Sequence, residues 1–294
     1  MGRTTIPLRL SAYCVGTIVS IALLILILSA WLYVVRLATS VDMVGMDLTG
    51  TRMVSAGTSM VMISKLQPWS AAEFVSMFLM WAAMMVAMML PSATPMVLCY
   101  ARVGRATAFD AEPFGPTAWF AAGYLLVWLG FASAATDVQW ALDRAALLTP
   151  LASMSNVIGG ILFITAGLYQ WSPLKDTCRA HCQAPLLFIQ SHGGFRRNAL
   201  GALELGVRHG ALCVGCCWVL MTLLFVGGVM NVLWMAAIAT LVLLEKIIHG
   251  HLVSRAVGTG LIIAGWLLML PMSSVGHVQT FVSVLTPFDG WTRV

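Results

Sequence analysis

The chain has 294 residues, of which 9% are charged and 60% belong to the hydrophobic set, whereas an ordinary globular domain carries about 25% charge. No soluble fold of this length has enough interior to hide that much apolar surface, so the bilayer has to act as solvent. The formal net charge of +5 then reports which loops face the cytoplasm, and nucleic acid is not an expected partner.

Only helices and closed barrels satisfy their backbone in lipid. The apolar runs here are continuous rather than alternating, which points to an all-α, polytopic transmembrane helix bundle forming one integral domain over 1–294. Runs of about 20 apolar residues predict seven spans, at 11–35, 73–99, 117–140, 151–171, 207–229, 232–249 and 256–272. The first is too long for a signal-peptide core and no small-residue cleavage site follows it, so it reads as a retained helix. With the N-terminus inside, Arg3, Arg9, Arg102, Arg105, Lys175, Arg179, Arg196, Arg197, Arg208, Lys246 and Arg255 are cytoplasmic. Arg36, Arg52, Lys65, Arg144 and Arg293 are outside, and eleven against five satisfies the positive-inside rule. The bacterial inner membrane is the expected location. The connection "VMNV" at 229–232 predicts a tight antiparallel pairing of the fifth and sixth spans.

In chain order, the first candidate chemistry lies in the outer segment 36–72. It holds Met43, Met46, Met53, Met60 and Met62, with Asp42 and Asp47 beside the first pair. Thioethers bind Cu(I) in an oxidising compartment, where thiols are lost as disulfides. The second span, "MFLMWAAMMVAMMLPSATPM" (77–96), repeats Met77, Met80, Met84 and Met88 along one helix stripe, with Met85 and Met89 on the neighbouring line and Met96 beyond. Such a stripe is either flexible core filler or a track for a soft cation. Pro91 removes the amide that would bond the Ala87 carbonyl, and Pro95 does the same to Pro91, which predicts a kink or break.

The inner segment 172–206 carries "CRAHC" (178–182). Cys178, His181 and Cys182 at i, i+3 and i+4 share a helix face and can chelate an ion, with His192 as a candidate fourth ligand and Lys175 and Arg179 favouring thiolate. A metal-free reactive dithiol and an inert interfacial helix are the other readings. "NALGALELG" predicts a short interfacial helix before the fifth span.

The fifth span opens on "RHGALCVGCCWVLM" (208–221). With His209 at 0° and about 100° per residue, Cys213, Cys216 and Cys217 fall at about 40°, −20° and 80°, and Met221 at about 120°. Thiolate, imidazole and thioether form a soft donor set that suits Cu(I) first and Zn(II) second. Adjacent Cys216 and Cys217 cannot both aim at one ion without bending, so two or three of the four side chains would bind. Packing of Cys as a small hydrophobe is the alternative. Cys14 and Cys99, alone in apolar runs, read as packing residues. Charges near span ends, Glu245, Lys246, His249 and Asp137, are explained by snorkelling to the interface, with a ligand or proton role for Glu245 and His249 as the alternative. The glycine pairs at 159–160 and 227–228 predict close helix packing. There is no phosphate-cradling loop, no H-E-x-x-H and no C-x-x-C-H, so no catalytic residues are assigned and an enzyme is not expected.

"MVGMD" (43–47), "FLMWAAMMVAMMLPSATPM" (78–96), "SPLKDTCRAHCQAPLLF" (172–188), "GVRHGALCVGCCWVLM" (206–221) and "GGVMNVLWMAAIATLVLLEK" (227–246) together resemble a bacterial family of integral membrane proteins described as metal-binding. The resemblance implies metal binding through Cys178, Cys182, Cys213, Cys216 and Cys217. Together with the soft donor set it leads to a copper-handling membrane protein. A Cu(I) ion would be carried by the metal candidates Met80, Met84, Met88, Cys178, His181, Cys182, His209, Cys213, Cys216, Cys217 and Met221, and exchanged with a soluble copper carrier or a copper enzyme. A membrane thiol–disulfide electron carrier and a structural subunit with packing-only sulfur are the alternatives.

Overall fold

The computed structural model describes the backbone of residues 5–44, 52–56, 59–63, 70–107, 114–145, 156–248 and 250–270. Side chains are described for 16–39 and, from residue 70 on, through these stretches except at 107, 114 and 156. The elements in order are α1 (Thr5–Val44), β1 (Arg52–Ala56), β2 (Ser59–Ile63), α2 (Ala71–Thr107), α3 (Phe114–Arg144), α4 (Asn156–Gln170), α5 (Pro173–Gln183), α6 (Pro185–Ser191), α7 (Ala199–Thr222), α8 (Leu224–Gly227), α9 (Val232–Ile247) and α10 (Leu252–Met269). The architecture is all-α apart from the antiparallel β1–β2 hairpin, in which Arg52 pairs with Ile63 and Ala56 with Ser59. That hairpin, and the extension of α1 to Val44, occupy the segment 36–72, in which the sequence pattern showed no regular structure.

Among the described residues five helices are long and apolar enough to cross a membrane: Gly16–Thr39, Ala71–Ala106, Gly115–Arg144, Ala199–Gly227 and Leu252–Met269. Two of the seven expected spans, 151–171 and 232–249, are not among these five. Among the described residues the run 151–171 gives the 15 residues of α4, about 22 Å at 1.5 Å per residue against a hydrocarbon core of about 30 Å. The chain then turns by 64° into α5, and this bent pair is a sixth crossing only if both pieces count together. The turn is written in "SP": the Ser172 side chain accepts from the Lys175 amide, and Pro173 sits in the first turn, a strong helix start. The 16 residues of α9 are likewise short. "NALGALELG" is not a separate interfacial helix but the first turns of α7. The fifth and sixth spans are not a tight hairpin either. The one-turn α8 and Gly228, at φ 87°, intervene, and α9 makes its broadest contact with α2.

Outward-facing apolar residues are dense on α1, where Ile21, Leu24, Ile25 and Leu28 are each more than half exposed; lipid chains satisfy such a surface and water does not. The centre belongs to α2 and α7. Helix α7 packs along α3, α2 is flanked by α1 and α3, and α4 pairs with α10. Missing side chains permit the closest of these approaches. A Cβ on Gly206 would fall on the Phe120 carbonyl, and one on Gly123 on the Leu203 carbonyl, which sets α3 against α7. Between α4 and α10, Gly160 and Gly265 would each place a Cβ 2.7 and 2.6 Å from the other's carbonyl, and Gly167 would meet Gly258 at 2.6 Å. This is the small-residue packing that membrane helices favour.

Of the expected kink or break at Pro91 and Pro95, the break does not occur: α2 runs as one helix through both prolines. The Ala87 carbonyl freed by Pro91 finds a donor in Trp31 Nε1 of α1 at 3.0 Å. A side chain from the neighbouring helix replaces the lost backbone bond, as membrane prolines require.

Candidate metal centre

Helix α7 fixes Cys213, Cys216 and Cys217 at i, i+3 and i+4, and their Sγ atoms all lie within 4.8 Å of one another. All three are buried, at 0%, 4% and 1% exposure. The Cys216 and Cys217 thiols both turn back toward the Cys213 carbonyl, at 3.0 Å each, which draws two adjacent residues onto one side of the helix.

Helix α5 brings the second thiol group to the same place. Gly215 makes the approach possible: a Cβ there would lie 2.9 Å from Cys178 Sγ. Cys182 makes thiol contacts with Cys213 and Cys216. The two cysteine motifs, 178–182 and 213–217, are therefore parts of one sulfur cluster. Helix α2 adds thioethers: Cys217 Sγ lies 3.9 Å from Met89 Sδ, and Met77, Met80, Met84, Met85 and Met88 are buried in the same core, as are Met221 and Met235. The side chains of α2 and α7 meet through sulfur rather than through close backbone approach.

Three polar groups reach this cluster. Tyr124 OH of α3 donates to the Met89 carbonyl at 3.1 Å and lies 3.2 Å from Cys213 Sγ. Lys246 Nζ of α9 lies 2.9 Å from Cys213 Sγ and donates to Ser92 Oγ at 2.8 Å. The Ser92 hydroxyl in turn donates to the Met89 carbonyl at 2.8 Å. The motif reading of the sequence missed Lys246, Tyr124 and Ser92. The available signal was the charged pair "EK" at 245–246, which closes an apolar run and was assigned to snorkelling.

That assignment is corrected for both residues. Glu245 is buried, 2.7 Å from Lys175 Nζ and 2.8 Å from Gln170 Nε2. Gln183 Nε2 donates to the Glu245 and Ile248 carbonyls at 2.8 and 3.0 Å, and Arg179 bonds Asp176 at 3.0 Å and the Gly250 carbonyl. These bonds clamp α5 against α4, α9 and the α9–α10 turn. Lys175 and Arg179, expected beside the α5 thiols, are thus committed to carboxylates, and the cation at sulfur is Lys246. Lys175 and Arg179 are buried at 1% and 3% exposure and Lys246 points inward. Without these three, the inner basic count falls to eight against five outside, and the topology argument weakens. Asp137 is exposed.

The imidazoles do not join the thiols. His209 shares the α7 face, but it lies one turn away, buried at 2% exposure, with ring centroids of Phe120, Tyr124 and Phe188 at 6.0, 5.7 and 5.4 Å. Its Nδ1 has no hydrogen-bond partner. His181 bonds the Thr177 carbonyl at 2.8 Å. His192 bonds Ser191 and the Phe188 carbonyl at 3.0 and 2.8 Å. His249, Met46, Asp47 and the side chains of Cys14, Asp42, Met43, Met53, Met60 and Met62 lie outside the described residues.

The cluster is therefore sulfur-dominated: thiols from two helices, a thioether from a third, and one ammonium. Soft, low-charge ions suit such donors; magnesium and calcium, which take oxygen ligands, do not. A family model described as a copper chaperone matches residues 78–268, the stretch that contains all five clustered cysteines and Lys246. No curated protein and no solved structure matches the chain.

Proposed function

The chain belongs to the PpoB2 copper chaperone family, and from that premise we propose that it holds Cu(I) among the α7 thiols, within a bacterial inner membrane, and passes it on. The observation that carries this reading is the convergence of Cys213, Cys216 and Cys217 within 4.8 Å, with the α5 thiols against them. In this account the α7 thiols are the principal ligands, and Cys178 and Cys182 are exchange ligands on a helix of separate origin. Met89 and the buried stripe Met80, Met84, Met85 and Met88 line the approach from the other end of α2, and Met221 continues the row on α7. His209 and His181 take no part. Cu(I) is preferred to zinc on the family's description as a copper chaperone. No nucleotide-binding loop occurs in the sequence, so movement of the ion is driven by a gradient or by exchange with a carrier. Its destination is across the bilayer or into a copper enzyme.

A thiol–disulfide electron carrier needs a second dithiol to receive its electrons. Among the described residues the only thiol outside the cluster is Cys99, which packs in a different part of the core. The copper reading is tested by elemental analysis of the full chain, purified in detergent under reducing conditions after copper loading. Wild type retains copper, and a variant with serine at Cys178, Cys182, Cys213, Cys216 and Cys217 does not; equal copper in the two rejects the reading.

A further inference from the structure

We propose that Lys246 is the built-in counter-cation of the copper–thiolate group, so that the protein supplies from its own interior the charge that the bound ion leaves uncompensated. The inference rests on the copper reading above and adds a residue that no motif assigns.

The geometry is specific. Lys246 Nζ touches Cys213 Sγ at 2.9 Å and Ser92 Oγ at 2.8 Å, and Tyr124, Cys182 and Cys216 are its other electrostatic neighbours. None of the ion pairs among the described residues includes it: Lys175 takes Glu245, Arg179 and His251 share Asp176, and Arg208 takes Glu204. Glu245 precedes it in the chain, yet successive helical residues diverge by about 100°, and the carboxylate faces α4 and α5 instead. Lys246 is half-buried, and an ammonium withdrawn from water without an anionic partner is costly. A bundle that only needed to pack its sulfur would not aim a lysine at it.

Charge counting gives the role. Cu(I) held by two thiolates carries a net charge of −1; copper stays Cu(I), two Cu–S bonds form, and each thiol that binds releases its proton to solvent. One ammonium cancels that charge. Three thiolates would leave −2 and a residual charge in a low-dielectric site. The single ammonium therefore favours two thiolates, Cys213 being one, with a neutral sulfur such as Met89 or the remaining thiol alongside. Ser92 holds the ammonium in place and is itself held by the Met89 carbonyl.

The test compares full-length wild type, Lys246→Met and Lys246→Arg in detergent, titrating Cu(I) alone against a chromogenic chelator. Losing a charge-assisted bond to the site weakens Lys246→Met about tenfold or more, and Lys246→Arg recovers most of the affinity. A purely structural lysine would not move the ultraviolet thiolate-to-copper band. Removal of the cation raises the energy of the thiolate electrons, so in Lys246→Met that band shifts to longer wavelength, and Arg returns it. Should Lys246→Met fail to fold, Ser92→Ala, which loosens the ammonium, gives the same shift in smaller measure. If wild type binds copper and the variants bind it equally tightly with an unmoved band, the counter-cation role is overturned and the copper reading stands. If wild type binds no copper, the copper reading falls first.

Discussion

Serine at Cys213, Cys216 and Cys217 together abolishes copper retention, whereas serine at Cys178 and Cys182 leaves the ion bound but weakens it by about ten- to a hundredfold. The asymmetry follows from how each set is held. The three α7 thiols are fixed by one helix within 4.8 Å of each other, and their relative positions survive any movement between elements. The α5 thiols reach the cluster only because α5 is clamped there, and they act as partners that tune a site built elsewhere, the class of contact for which losses of that size are usual. Copper per chain by elemental analysis reads the first effect, and competition with a Cu(I) chelator reads the second. Equal losses from the two sets would mean that neither helix holds a site alone. Full retention by the α7 triple variant would place the ion elsewhere.

Lys175→Met destabilises the bundle by about 3–5 kcal/mol, because it leaves Glu245 as an unpaired charge in the interior. Lys175 and Glu245 side chains are 1% and 4% exposed and 2.7 Å apart, so water cannot take over from the missing ammonium. Lys175→Met/Glu245→Met, which removes both charges, regains most of that loss, since replacing a whole buried pair by apolar side chains is commonly neutral. Unfolding in a denaturing detergent, followed by helical circular dichroism, measures both. A single variant as stable as wild type would show that the pair is open to solvent or absent. The same single variant loosens α5, so whatever fraction stays folded binds copper less tightly than wild type.

The thiol face of α7 was legible because helical spacing alone sets where residues 213, 216 and 217 point. Helical spacing also singled out residues 178 and 182, but the pattern could not show that both motifs form one cluster. A polar inner segment reads as solvent-exposed, and only tertiary contacts reveal that the Ser172–Pro173 start turns α5 back against the bundle. For the same reason Lys175 and Arg179 were counted as topology signals, although each is spent on a buried bond. The prolines of α2 illustrate the opposite case. The freed Ala87 carbonyl was correctly identified, but the Trp31 indole that satisfies it comes from a helix 56 residues away in sequence, and the break it prevents could not be foreseen. His209 lies on the same face one turn from Cys213, and helical angle says nothing of the aromatic rings that surround it. Lys246 was hidden by the general tendency of lysines at helix ends to reach outward.

The most direct test of a sulfur-held copper centre is X-ray absorption at the copper edge on the reduced, copper-loaded full chain. The account predicts Cu(I) with two or three sulfur neighbours and no nitrogen or oxygen in the coordination sphere. A shell dominated by nitrogen or oxygen, or a four-coordinate Cu(II) signature that persists under reductant, would contradict it.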